Sequence, residues 1–380
     1  MKIIGEKLKT ARILAGYTLS ELADVLGITK QALSQYENND TEPKFDIYLK
    51  LLKTLQCKNE FLTTPYTFSF ETQNTFFRAS AAADAIEKRN QEVKTDLVLY
   101  LYEFLCEYLE LPKLNLPDLD NDLSIEEKSN QLRNYWKISN KPIKNIINVL
   151  EHNGIIVSSF NPLYGRLNYK IDGYTQQVRI KNNKLFCVIV EDYKESWARK
   201  NFSLAHELGH IILHNSYNYS ELSKSEQNQL ENEANLFASA FLLPKDEFIE
   251  DMKSVRSLND FVRLKQKWFV SIGAMLIRAK QLGIITNDEY LKYIKNYSYH
   301  RYRKNEPLDN VIQIYKPSLF KFSLEMLFEN GYTVEEFEQD LSERGLGLPL
   351  NQIEELLCLD EGFFDKYNNK RPIIRFKKEN

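Results

Sequence analysis

Cysteine is scarce in this 380-residue chain: Cys57, Cys106, Cys187 and Cys358 lie far apart, with no CxxC pair. That spacing excludes a zinc–thiolate site and a disulfide framework, and it fits reduced thiols in the cytoplasm. Long apolar runs are also missing. No stretch approaches the roughly 18 apolar residues that suggest a membrane span, so no membrane partner is expected. The opening MKIIGEKLKT is charged and periodic, unlike a signal peptide. Neither charge dominates, since 50 Lys and Arg face 53 Asp and Glu. No global basic field therefore points to nucleic acid, and any such contact must come from a local surface. There is no fixed-period repeat and no long low-complexity tract.

What is present is a chain long enough for two or three domains with a sizeable core. Residues 3–62 read as a string of short helices, and 63–80 as an extended linker without helical period. Residues 81–111 are helical in pattern, and 112–123 form a Pro- and Asp-rich loop. Ser124 and Glu127 make a capping box that opens two helices ending near Asn153, with Gly154 as C-cap. GIIVSSF, LNYKI, QQVRI and LFCVIV then read as short strands within 154–190. Helical spacing returns at 196–215 and 226–243. The stretch 321–341 reads as helix, Gly turn, helix, expected to cover the preceding domain or to form an oligomer face. YSYHRYRK (297–304) is expected to be a solvated element end.

Near the N-terminus, Thr18 and Glu21 form a capping box for a short helix that turns Leu22, Ala23 and Leu26 inward. Gly27 supplies a tight turn. Thr29 caps a second helix, Lys30 to about Asn38, whose open face offers Thr29, Lys30, Gln31, Ser34 and Gln35. This is a helix-turn-helix layout, in which Gln can pair bidentately with adenine and Lys can donate to guanine. Lys7, Lys9, Arg12, Asn38 and Lys44 are candidates for phosphate contacts. Across residues 5–62, TLSELADVLGITKQALSQYEN resembles the helix-turn-helix of the XRE/phage-repressor family. The resemblance implies base reading by Lys30, Gln31 and Gln35, and backbone contacts by Thr29 and Ser34. Residues 1–62 carry nine Lys or Arg against eight Asp or Glu. One copy therefore attracts phosphate weakly, which favours a homodimer on paired half-sites of a double-stranded DNA operator.

The second constellation is His206-Glu207-Leu208-Gly209-His210. Residues four apart share one helix face, so both imidazoles can bind one ion while Glu207 takes a proton from water. Of five histidines in the chain, three fall at 206, 210 and 214, a clustering that argues against coincidence. Zinc wants a third protein ligand and an open position. Glu231 shares a helix face with Ala234, Asn235, Ala238 and Leu242, a small stripe suited to packing on another helix, whereas Glu233 points the other way. The expected metal set is therefore His206, His210 and Glu231, with Asn235 orienting a ligand from behind. Gly209 permits close approach of a strand or ligand. His214 reads either as a support for the site or as a cation near a helix C-terminus, and the second is expected.

FSLAHELGHIILH followed by ENEANLFASAFLLP resembles the ImmA/IrrE family of zinc metallo-endopeptidases, and IEEKSNQLRNYWKISNKPIKNIINVLEHNGIIV resembles that family's lead-in. The resemblance covers about 124–300. It implies a gluzincin-like arrangement with one Zn2+ on His206, His210 and Glu231, Glu207 as general base, and a protein substrate, with helix-turn-helix repressors as the substrate class. The expected fold is mainly α with a small β-sheet: a five-helix reader (1–62), a linker and helical connector (63–123), an α+β metallopeptidase domain (124–300) and a C-terminal helical region (301–380). In the mechanism this suggests, zinc polarises the scissile carbonyl and Glu207 carries the proton from water to the leaving amine. LFCVIV (185–190) is placed as an edge that pairs with substrate. Arg199 and Tyr174 rank as weak candidates at the oxyanion. Two other readings fit the same residues: a non-proteolytic transcription factor whose zinc domain senses a ligand, and an antitoxin-like binding partner.

Overall fold

The computed structural model describes residues 2–79, 85–160, 171–180, 183–191, 196–215, 217 and 221–368, with the side chains at 74–79, 85, 160, 171–174, 190 and 191 left out. Five short helices open the chain: α1 (Gly5–Leu14), α2 (Leu19–Leu26), α3 (Lys30–Glu37), α4 (Phe45–Leu55) and α5 (Asn59–Thr63). The sequence signals at their ends are met. Thr18 accepts from the Glu21 amide while the Glu21 carboxylate accepts from the Thr18 amide, and Gly27 takes the left-handed conformation. Thr29 caps α3 by accepting from the Ala32 amide at 3.1 Å.

The segment read as an extended linker contains a strand, β1 (Glu71–Ala79). It is followed by α6 (Ala85–Cys106), α7 (Ile125–Tyr135) and α8 (Ile146–His152), then by β2 (Ile155–Phe160), β3 (Ile171–Ile180) and β4 (Asn183–Glu191). Of LNYKI, only Ile171 lies within the described residues. The sheet order is β1-β3-β4-β2, with β2 parallel to β4 and the other pairs antiparallel. β4 is therefore central, hydrogen-bonded on both sides, and cannot serve as the edge that accepts a substrate strand. The edges are β1 and β2.

The remaining helices are α9 (Trp197–Leu213), α10 (Lys224–Leu242), α11 (Lys245–Met252), α12 (Asp260–Trp268), α13 (Ile272–Gln281), α14 (Asn287–Tyr299), α15 (Leu319–Glu329), α16 (Val334–Glu343) and α17 (Leu350–Leu356). Because side chains alternate across a strand, the sheet divides the molecule into two cores. Ile156, Val178, Ile180, Leu185, Cys187 and Ile189 belong to one core with α1–α6 and α15–α17. Ile155, Val157, Phe186 and Val188 belong to the other with α7–α14. The C-terminal helices thus pack on the N-terminal helices and on one face of the sheet, so 321–341 covers the preceding domain on that face and not on the α7–α14 side. Their apolar stripe of Leu324, Phe328, Phe337, Leu341 and Ile353 buries in the first core. Phe337 meets the edge of the Phe104 ring, with centroids 5.6 Å apart. Lys58 pairs with Glu338, and Gln352 donates to the Gln56 carbonyl at 2.9 Å. Gly345 sits at φ +77°, where a Cβ would lie 2.5 Å from the Pro65 carbonyl, so only Gly fits that junction. Glu151 of α8 joins the two cores by accepting from the Ser318 and Leu319 amides at the start of α15.

Candidate metal centre and reading helix

α9 is capped by Ser196, and it buries Trp197, Leu204, Ala205, Leu208 and Ile211 against the sheet side and α10. Each such aliphatic side chain contributes about 1.5–3 kcal/mol by leaving water, so the face that carries His206 and His210 is held firmly. α10 starts with a Ser223–Glu226 capping box and turns Ala234 and Ala238 to α9. Gly209 lets the two backbones meet: a Cβ there would lie 3.1 Å from both Cα and O of Ala234. The close approach permitted by Gly209 is thus to a neighbouring helix.

This crossing brings three donors to one point. His206 Nε2 and His210 Nε2 are 3.1 Å apart. Glu231 Oε2 lies 3.2 Å from the first and Glu231 Oε1 lies 3.4 Å from the second. Among the described residues, His206, His210 and Glu231 form a group whose ligand atoms all lie within 4.8 Å of one another. Burial pushes the Glu231 carboxyl up, but its hydrogen bonds and charge interactions with the two imidazoles outweigh burial and hold it well below the ordinary carboxylate value. Two buried nitrogens and an ionised oxygen converging without an intervening side chain fit the donor set of a divalent ion.

Asn235 stands where a supporting residue was expected, with Oδ1 3.0 Å from His206 Nδ1. Glu207 is fully buried beside the pair, and Thr175 of β3 donates to its Oε2 at 2.5 Å. Thr175 carries no sequence signal: it is one strand residue among several, and only the fold brings it to Glu207. Two expectations are corrected. His214 does sit at the C-terminus of α9, as its cap, but it is not a cation there, for it is 1% exposed and its Nδ1 lies 3.0 Å from His210 Nδ1. Burial drives His214 down to about 4 against the pull of Glu233, so it is neutral at pH 7. Glu233 does not point away from the site either, since its Oε2 lies 3.0 Å from His214 Nε2. The spacing HExxHxxxH, which adds one more turn to the metal helix, was the available signal for His214.

Arg199 lies two turns before His206, and its guanidinium donates to the Arg303 carbonyl at 2.8 Å. It lines a cavity of about 690 Å³ between α9, α10 and α13, together with Phe202, Ser203, Asn235, Leu236 and Ile277. Tyr174 is on β3, and its side chain lies outside the described ones. In YSYHRYRK, Tyr297 is buried and donates to Glu306 at 2.7 Å, so part of that stretch is core rather than a solvated end.

At the other end of the molecule, α3 buries only Leu33. Thr29, Lys30 and Gln31 are exposed, and Ser34 and Gln35 are half-buried on the same flank. Lys9, Asn38 and Lys44 are exposed near them. Lys7 and Arg12 are withdrawn from any phosphate. Lys7 is buried under the Tyr66 ring and donates to the Gly345 carbonyl, and Arg12 forms a two-point pair with Glu37 at 2.6 and 3.0 Å.

Comparison with known proteins agrees with this division. Residues 8–60 match the helix-turn-helix family model, and residues 168–280 match the family model described as the IrrE N-terminal-like domain, of the peptidase M78 group. An SPbeta prophage-derived, uncharacterized HTH-type transcriptional regulator of Bacillus subtilis (strain 168) is 38% identical over 60 residues, which are 16% of this chain and 56% of that protein. A protein of Methanocaldococcus jannaschii, provisionally named as an HTH-type transcriptional regulatory protein, is 27% identical over 143 residues, 34% of this chain and 42% of its own length. A similarly named protein of Pyrococcus abyssi is 39% identical over 51 residues, 13% of this chain and 16% of that one. The chain thus spans from about a sixth to just over half the length of these relatives. It joins a helix-turn-helix segment of the XRE type to a segment of the IrrE N-terminal-like family.

Proposed function

We propose that this chain is a DNA-binding transcriptional regulator that carries a zinc-dependent endopeptidase site and cuts a regulatory protein of the repressor type. The observation that carries the enzyme half is the convergence of His206, His210 and Glu231 within 4.8 Å beside a buried Glu207. A purely structural ion needs the two histidines but has no use for a buried acid between them. Zinc held there would supply Lewis acidity and would make water acidic near neutral pH. Glu207, steadied by Thr175 at one oxygen, holds and returns the proton that moves between water and the leaving amine. The cavity beside Asn235 offers Arg199, uncharged polar groups and apolar side chains to an extended peptide.

The reader half is supported by the exposed face of α3, where Lys30, Gln31 and Gln35 meet base edges of a double-stranded operator while Thr29 and Ser34 meet the backbone. Two copies on paired half-sites compensate for the near-zero charge of residues 1–62. No helix among the described residues is long and apolar enough to cross a membrane.

The test is Glu207→Gln in the full chain. Zinc content should stay at one per chain while cleavage of the regulatory protein falls by at least about a hundredfold, the usual size of a lost general base. Unchanged regulation of the target promoter by this variant would instead support a sensory zinc domain.

A further inference from the structure

We propose that His214 and Glu233 form a relay that fixes the ring and the proton position of His210, so that the ion is held by a carboxylate–imidazole–imidazole chain as well as by its direct ligands. The inference rests on the metal-site reading above and adds two positioning residues to it. α9 and its C-cap place His206, His210 and His214 one turn apart along one face. α10 returns beside it, so that Glu231 lies against the first two rings and Glu233 against the third.

The hydrogen positions follow from the geometry. His210 Nε2 faces His206 and Glu231, at 3.1 and 3.4 Å. Ligation uses the lone pair on that nitrogen, which leaves the ring proton on Nδ1. His210 Nδ1 lies 3.0 Å from His214 Nδ1. Two ring nitrogens at that distance share one proton, so His214 Nδ1 must accept. The His214 proton then sits on Nε2 and is donated to Glu233 Oε2 at 3.0 Å. Glu233 is steadied in turn by Gln229, whose Nε2 donates to its other oxygen at 2.9 Å. Each donor in the chain has one acceptor, which selects a single tautomer at both histidines.

The two ligand imidazoles are therefore supported unequally. His206 leans on the neutral amide of Asn235, whereas His210 leans on an imidazole backed by a carboxylate. A carboxylate behind a ligating histidine raises its basicity and locks its orientation, and losing such support typically costs ten- to a hundredfold in metal affinity.

The test is zinc affinity of the full chain by chelator competition, in the unmodified protein and in His214→Leu, His214→Gln and Glu233→Ala. His214→Leu should weaken zinc ten- to a hundredfold. His214→Gln should recover most of that loss, because its amide accepts from His210 and donates to Glu233. Glu233→Ala, at a half-exposed position that leaves the packing intact, should weaken zinc about tenfold and decides the matter if His214→Leu does not fold. In nitrogen-15 spectra of the zinc-loaded chain, His214 should carry its proton on Nε2. Tight zinc binding that is unaltered in His214→Leu and Glu233→Ala overturns the relay alone, as does a proton on His214 Nδ1. Absence of zinc from the unmodified chain overturns the metal-site reading and the relay with it.

Discussion

α3 and α9 answer opposite demands. α3 has eight residues and buries one, Leu33; α9 has seventeen and buries twelve. A duplex is a large partner that arrives from outside, so the helix that reads it must show polar side chains to solvent and can be positioned by a minimal anchor. An ion a few ångströms across needs ligands fixed before it arrives, and the ligands need partners of their own. The difference shows what to look for in each case: exposure and polarity on one helix, burial and paired polar atoms on the other.

The largest effect expected from breaking this contrast is at the ion. His206→Ala should lower zinc affinity by more than a hundredfold while operator affinity stays within about twofold; metal analysis and fluorescence anisotropy on one preparation check both. A parallel loss of DNA binding would mean that the two ends are not independent. Next is Gln31→Ala. Loss of a bidentate base contact should cost about 1–3 kcal/mol on the cognate operator and relax the preference for one base pair, without altering zinc content. Gly209→Ala comes third. The neighbouring backbone of Ala234 must shift by a few tenths of an ångström, which should destabilise the chain by about 1–3 kcal/mol and weaken zinc by separating Glu231 from the histidines. Chemical denaturation with and without zinc measures both.

The smallest effect concerns the core shared by the reader and the C-terminal helices. Burial drives the Lys94 amine from 10.5 down to about 7, against the pull of Glu355 and Cys358. Between those values the unfolded chain holds more protons than the folded one, so stability rises as pH goes from about 7 to about 10.5. Lys94→Met should flatten that rise, read from denaturation midpoints at pH 7 and 9.5. An unchanged slope would place the titration elsewhere.

Much of this was legible because it is local. Capping boxes at Thr18 and Ser124 and the left-handed Gly27 act within a few residues, and the i, i+4 pair His206 and His210 is fixed by helix pitch. Helical phase placed Glu231 and Asn235 on the face that meets α9. What escaped depends on long-range packing. β1 lacks helical period and pairs with a strand about a hundred residues later, so it passed for a linker. β4 looked like an edge because a sequence does not state strand order. Thr175 reaches Glu207 only through the sheet, and His214 gains its meaning only once Glu233 is beside it. Lys7 and Arg12 looked like phosphate ligands until the C-terminal helices and Glu37 claimed them.

The central claim is that His206, His210 and Glu231 hold one ion, and X-ray absorption at the zinc edge on the purified full chain tests it most directly. The account predicts one zinc per chain with only nitrogen and oxygen neighbours, at about 2.0–2.2 Å. A sulfur neighbour at about 2.3 Å, or a chain that retains no metal, would contradict it.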